Sequence, residues 1–273
     1  MSQYPLIIDV QTLNDHLIDD NLLIIDLCKR ELYKANHIPG AVHFDYGHII
    51  KVEKPVMGLV PDDTHLQTVF SALGISSTTH VVAYDDEGGG KACRLLWTLE
   101  LTGHHKVSLL NGGIFAWANN GLSLEQHQNH PNPASFALLK DTSVIATLDY
   151  LQSRLGEPEI QILDARSVAE YRGSKNFAQK GGHIPGAIHY EWIDAMDRNN
   201  NLCLLPMAQL KATLAEKGFD RDKTIVTYCH SHHRSSFSYY LLKAAGFRRV
   251  KGYAGSWSEW GNHPHTPVEM VAD

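Results

Sequence analysis

The chain has 273 residues, is 43% hydrophobic and 20% charged, and carries 24 Lys and Arg against 30 Asp and Glu, a formal net charge of −6. That length exceeds what one core ordinarily needs and predicts two domains. With no basic stripe and no Lys/Arg run interleaved with aromatics, a nucleic-acid surface is excluded.

No segment has the apolar length of a membrane span. The first residues, MSQYPLIIDV, lack the basic and apolar regions of a secretory signal. Cys28, Cys93, Cys203 and Cys229 stand far apart, with neither a CxxC pair nor zinc-finger spacing. Free thiols in a reducing cytoplasm are therefore expected.

In chain order, LLIID (22–26) is a near-continuous aliphatic run of strand length, the kind buried on both faces. It ends at Asp26 and is followed by HIPGA (37–41), where Pro-Gly sets a turn. A second run, HVVAY (80–84), leads into Ala92, Leu95, Leu96 and Leu99 at helical spacing, with Gly103 as the stop. NGGIFAW (111–117) comes next, then a polar stretch, 121–142, with Pro131 and Pro133, which reads as a linker.

From there the chain says much of itself again. IQILD (160–164) ends at Asp164, HIPGA returns at 183–187, and TIVTY (224–228) leads into a helical stripe of Phe237, Tyr240, Leu241, Ala244 and Ala245 before Gly246. AGSWSEW (254–260) answers NGGIFAW. The two HIPGA copies are 146 residues apart, the strand-end aspartates 138, and Tyr84 and Tyr228 144. Ordered matches at such offsets mark a tandem duplication, its period too long for a solenoid.

The expected division is an N-terminal domain 1–120, a linker 121–143 and a C-terminal domain 144–273, with the tail from Gly261 lying along the surface. The alternation of strands and helices predicts an α/β fold in each copy, a mostly parallel sheet with helices on both faces. Ligands of such sheets bind at the carboxyl ends of the strands. Asp85 and Cys229 both fall there.

The two strand-end loops differ in chemistry. The first is DDEGGGKA (85–92), acidic and glycine-rich, and is expected to be a flexible solvated turn; the second is CHSHHRSS (229–236). A short loop before a helix points successive N–H groups at one spot, and the helix dipole adds positive potential. Arg234 adds a permanent cation, and His230, His232 and His233 are expected to add partial charge. A cysteine in that field is a depressed-pKa nucleophile above an anion cradle. A zinc or copper site on Cys229 and the histidines is the competing reading. Three ligands within five residues fit poorly on a loop wrapped around an anion, so no metal and no cofactor are expected. His37 and His183 recur in both copies and are read as serving the fold. Asp26 and Asp164 recur too, and Arg166 makes a buried Asp–Arg tie the expectation in the second copy.

The duplicated HIPGA after a strand-end Asp, the lone cysteine in the second loop only, and GSWSEW near the end resemble the tandem-domain rhodanese family, over nearly the whole chain. CHSHHRS is similar to the bacterial members with a histidine-rich loop. The resemblance implies a monomeric thiosulfate sulfurtransferase in which Cys229 carries the sulfur, passing it to cyanide, a thiol or a sulfur-acceptor protein. It implies that His230, Ser231, His232, His233, Arg234 and Ser235 bind the substrate, with Trp192 walling the pocket. Mercaptopyruvate is the alternative donor, although Glu170 stands where those enzymes tend to carry an arginine. A Cys-x5-Arg phosphatase or arsenate reductase is a more distant alternative, because Arg234 comes one position early for that loop.

Overall fold

The computed structural model describes residues 4–271. The first half contains strands β1 (Ile7–Ile8), β2 (Leu22–Asp26), β3 (Val42–His43), β4 (Lys51–Glu53), β5 (Val56–Leu59), β6 (His80–Tyr84) and β7 (Val107–Leu110). The second contains β8 (Ile145–Ala146), β9 (Ile160–Asp164), β10 (Ile188–His189), β11 (Met196–Asp197), β12 (Cys203–Leu204), β13 (Thr224–Tyr228) and β14 (Val250–Tyr253). Two five-stranded sheets result, ordered β1-β7-β6-β2-β3 and β8-β14-β13-β9-β10, each with helices around it. Every pairing in both is parallel. The orders correspond strand for strand, so the sequence duplication is a duplication of topology. Among the described residues no helix is long and apolar enough to cross a membrane.

The aliphatic runs sit where their composition demands. All five residues of β6 are buried, as are four of the five in β13, each strand flanked by parallel neighbours. A strand covered on both faces has no solvent side to alternate toward, which is why these runs carry no period of two.

HIPGA recurs because it completes the same polar tie twice. The register sets Asp26 beside Tyr84 and Asp164 beside Tyr228 at the strand ends. Each tyrosine O–H donates to its aspartate and accepts from the motif's isoleucine N–H, Ile38 or Ile184, at 3.2 Å. Buried carboxylates need such partners, since an unpaired one costs several kcal/mol. In the second copy Arg166 adds a guanidinium 2.6 Å from Asp164 and stacks 4.3 Å from the Trp257 ring centroid. The motif histidines are structural: His37 stacks on Tyr33 and His183 on Tyr171, each bonded through Nδ1 to that tyrosine's carbonyl oxygen. The motif glycines, Gly40 and Gly186, take φ of 77° and 74°, a left-handed turn open to glycine at little cost.

The repeat continues past both GIFAW and SWSEW. Trp117 Nε1–H donates to the Ser123 carbonyl, and Trp260 Nε1–H to that of Pro267. Glu125 bridges to His37 and accepts from the Gly40 N–H at 2.7 Å; Glu269 does the same for His183 and Gly186. From Gly261 to Val271 the chain lies along the surface, most of its residues exposed, and is stitched down there, with Thr266 buried and Lys180 bonded to the carbonyls of His263, Pro264 and Thr266.

The contacts gather into two units. One contains the chain up to Ile49, Pro61–Asp141 and Met196–Leu204; the other contains Ile50–Val60, Thr142–Ala195 and the chain from Leu205. Each unit thus includes a hairpin from the opposite half of the sequence: β11–β12 in the first, β4–β5 in the second. Residues 121–141 belong with the first unit.

Candidate active site

Cys229 follows the last residue of the central strand β13 and precedes helix Arg234–Ala245. Its side chain is buried, with the residue only 1% exposed, but the surroundings are polar. The Ser231 and Ser235 amides and the Ser235 hydroxyl donate toward the sulfur, and Arg234 acts on it through its charge. Burial pushes the thiol up. The guanidinium, the hydroxyl and the two amides outweigh that and hold it down at about 7. The other three thiols go the opposite way: burial raises Cys28, Cys93 and Cys203, and neighbouring Asp26, Asp85 and Asp197 push in the same direction.

The loop is shaped from outside as well as within. Its carbonyls turn away from the sulfur to accept from the N–H groups of helix Ser256–Trp260, Trp257 to Cys229 and Ser258 to His230, both at 2.9 Å. The Ser256 hydroxyl oxygen accepts from the Cys229 and His232 amides and passes its own proton to the Tyr253 carbonyl. His232 and Ser256 take φ of 53° and 51°, uncommon for residues with a side chain and tolerated where the surroundings over-determine the backbone. On another side, a Cβ on Gly58 of β5 would lie 2.1 Å from the Ser231 carbonyl oxygen. Only glycine allows that approach.

The three histidines diverge instead of converging. His230 meets the edge of Phe177, His233 faces Trp192, and buried His232 places Nδ1 2.7 Å from the Ser235 oxygen. With the Ser235 hydroxyl donating to the sulfur, the proton on His232 resides on Nδ1 and donates to Ser235. Among the described residues no group of three or more His, Cys, Asp or Glu is placed to hold a metal ion. The expected partial charge on His230 is corrected too: burial and the Arg234 cation both pull its pKa down, so it is neutral at pH 7.

Arg234 is not a free cation. Both terminal nitrogens donate to Glu170, at 2.7 and 2.8 Å, and Glu170 also accepts from the Ser167 N–H and hydroxyl in a capping box. Burial raises Glu170, but Arg234 and Ser167 overcome it and hold the carboxyl at about 2. A cavity of about 350 Å³ is lined by Glu170, Lys175, Phe177, His230 and Arg234. Trp192 does not line it; the indole packs 5.9 Å from His233 and 5.8 Å from Phe237, where β10 has led the chain past the start of the helix. Lys175 and Phe177, which do line it, were not singled out in the sequence. Glu170 carried a visible signal, the Ser-x-x-Glu of a capping box.

The first unit's loop is a control built into the chain. Asp85, at the position of Cys229, is 1% exposed and accepts from the amides of Glu87, Gly89 and Ala92 at 3.0, 2.7 and 3.0 Å. The expected solvated turn is instead closed around its own carboxylate, because inward amides left without an acceptor would be costly. Burial and Glu87 raise the Asp85 carboxyl against the pull of those amides, so the same loop geometry closes on a carboxyl group in one copy and on a low-pKa sulfur in the other.

Comparison with known proteins agrees with this geometry. The rhodanese-like domain family matches residues 9–120 and 147–263. A thiosulfate sulfurtransferase of Pseudomonas aeruginosa is 42% identical over 269 residues, covering 98% of both chains. One of Azotobacter vinelandii is 43% identical over 266 residues, covering 97% of each. Among solved structures, wild-type EanB superposes on the whole chain with a TM-score of 0.87 at 22% identity, over 70% of its own length, a likeness of fold.

Proposed function

We propose, for a chain that belongs to the rhodanese family through both of its halves, that it is a thiosulfate sulfurtransferase with Cys229 as nucleophile and sulfur carrier. The observation that carries the reading is a thiol held at about 7 by inward amides and a guanidinium, while the other three thiols are raised.

The Cys229 thiolate attacks the outer sulfur of thiosulfate. A sulfur–sulfur bond forms to the protein, the bond between the two thiosulfate sulfurs breaks, and sulfite leaves with the electron pair. The product is a Cys229 persulfide, whose terminal negative charge is stabilised by preorganised donors of the kind already aimed at the thiolate, Ser231, Ser235 and Arg234. Cyanide or a thiol then attacks the terminal sulfur, and the electrons of the broken bond restore the thiolate. Transfer to a protein thiol is the same chemistry with a larger acceptor. Nearly complete burial of Cys229 favours a compact donor such as thiosulfate. Free thiols at all four cysteines fit a reducing compartment, and the cytoplasm is the proposed location of a monomeric enzyme.

The test is Cys229→Ser. Thiocyanate formation from thiosulfate and cyanide is expected to vanish while circular dichroism and thermal unfolding stay as in the wild type. Residual turnover in that variant would refute the assignment.

A further inference from the structure

The cavity lined by His230, next in chain to Cys229, presents two permanent cations, and they differ in what they are free to do. Arg234 is matched by Glu170 through two hydrogen bonds, so as a pair they offer an entering anion little net charge. Lys175 lies across the same cavity on an exposed stretch, its backbone N–H tied to the Ala169 carbonyl at 3.0 Å. Its ammonium stands 5.1 Å from the Phe177 ring centroid and has no carboxylate partner among the described residues. Phe177 is 59% exposed, and its ring makes a T-shaped contact with that of His230, next in chain to the nucleophile, with centroids 5.8 Å apart. Lys175, its ammonium over the Phe177 ring, thus lines the same cavity as His230, the residue after Cys229, and Arg234, the cation that acts on the sulfur.

We propose that Lys175, positioned on Phe177, is the residue that recognises the donor's charge: its ammonium takes the sulfonate end of thiosulfate, while Glu170 reserves Arg234 for the Cys229 sulfur. The proposal rests on the thiosulfate reading above. It divides the work between two cations: Lys175 draws the dianion in, and Arg234 keeps the thiol ionised. An unmatched cation at the mouth of a small cavity raises the local concentration of an anionic substrate, and added salt weakens that effect.

Two measurements on the full chain test it. In steady-state kinetics with thiosulfate, Lys175→Gln is expected to raise KM about tenfold, the equivalent of about 1.4 kcal/mol, with kcat within about twofold. Lys175→Arg is expected to restore most of the loss, and the Gln variant's kcat/KM should fall less steeply with salt. Phe177→Leu, which keeps an apolar side chain but removes the ring face, should raise KM about threefold.

The second measurement does not involve thiosulfate. Cys229 alkylation by anionic iodoacetate is compared with alkylation by neutral iodoacetamide, and Lys175→Gln should slow only the former, by about fivefold to tenfold. An unchanged KM together with an unchanged iodoacetate-to-iodoacetamide ratio would overturn the role of Lys175, as would a loss confined to kcat that Arg fails to rescue. If wild-type Cys229 accepts no sulfur from thiosulfate, the donor reading fails, and the alkylation ratio still decides whether Lys175 selects anions.

Discussion

Replacing Glu170 by Gln would remove one charge while keeping nearly the same shape, and two readouts should move in opposite senses. Glu170 is held at about 2, against an ordinary glutamate near 4.5. That difference corresponds to about 3 kcal/mol of native-state stabilisation. Because the folded value is the lower one, the stabilisation is fully present above pH 4.5 and is lost as pH falls toward 2. Denaturant unfolding at pH 7 should therefore show Glu170→Gln to be less stable by about 1–3 kcal/mol, some hydrogen bonding to Arg234 surviving in the amide. Below pH 4.5 the gap between wild type and variant should close. The sulfur should respond in the other direction. Arg234 would no longer face a carboxylate, so its field on Cys229 would strengthen, and the alkylation midpoint, near pH 7 in the wild type, should drop by about one pH unit. A midpoint that stays or rises, or a stability gap unchanged down to pH 2, would refute the claim that Glu170 tempers Arg234.

Gly58→Ala should collapse the loop from outside, since the new Cβ would strike the Ser231 carbonyl and φ is already 88°; a drop in activity of at least tenfold with destabilisation of about 2–4 kcal/mol is expected from paired activity and unfolding assays. Asp85→Ala strands three amides, two of them buried, so unfolding should show a loss of about 2–4 kcal/mol with kcat/KM unchanged, and a stability equal to wild type would contradict the self-filled cradle. Ser235→Ala removes the hydroxyl aimed at the sulfur and should raise the alkylation midpoint above pH 7; a midpoint that falls would reverse the assigned direction of that hydrogen bond.

The duplication was legible because its markers are local and are needed twice. HIPGA docks on a strand-end tyrosine in each copy, so both halves keep its letters. The reactive loop was legible for the opposite reason, its chemistry being present in one copy only. Glu125 and Glu269, 144 positions apart like Tyr84 and Tyr228, escaped notice because polar, proline-containing flanks give no periodic signal. The Arg234–Glu170 pair joins residues 64 positions apart, and nothing in either local pattern announces the other. Hairpin membership was hidden for the same reason: a short β-ribbon records its own pairing, not the unit it packs with. His230, His232 and His233 looked alike in sequence and differ in structure because each points to a different neighbour.

Whether Cys229 carries the sulfur is decided by intact mass spectrometry of the protein after thiosulfate, followed by peptide mapping. One added sulfur atom is expected, located on Cys229, formed more readily above pH 7 than below it and removed by cyanide. An unmodified Cys229, or sulfur carried on Cys28, Cys93 or Cys203 instead, would contradict it.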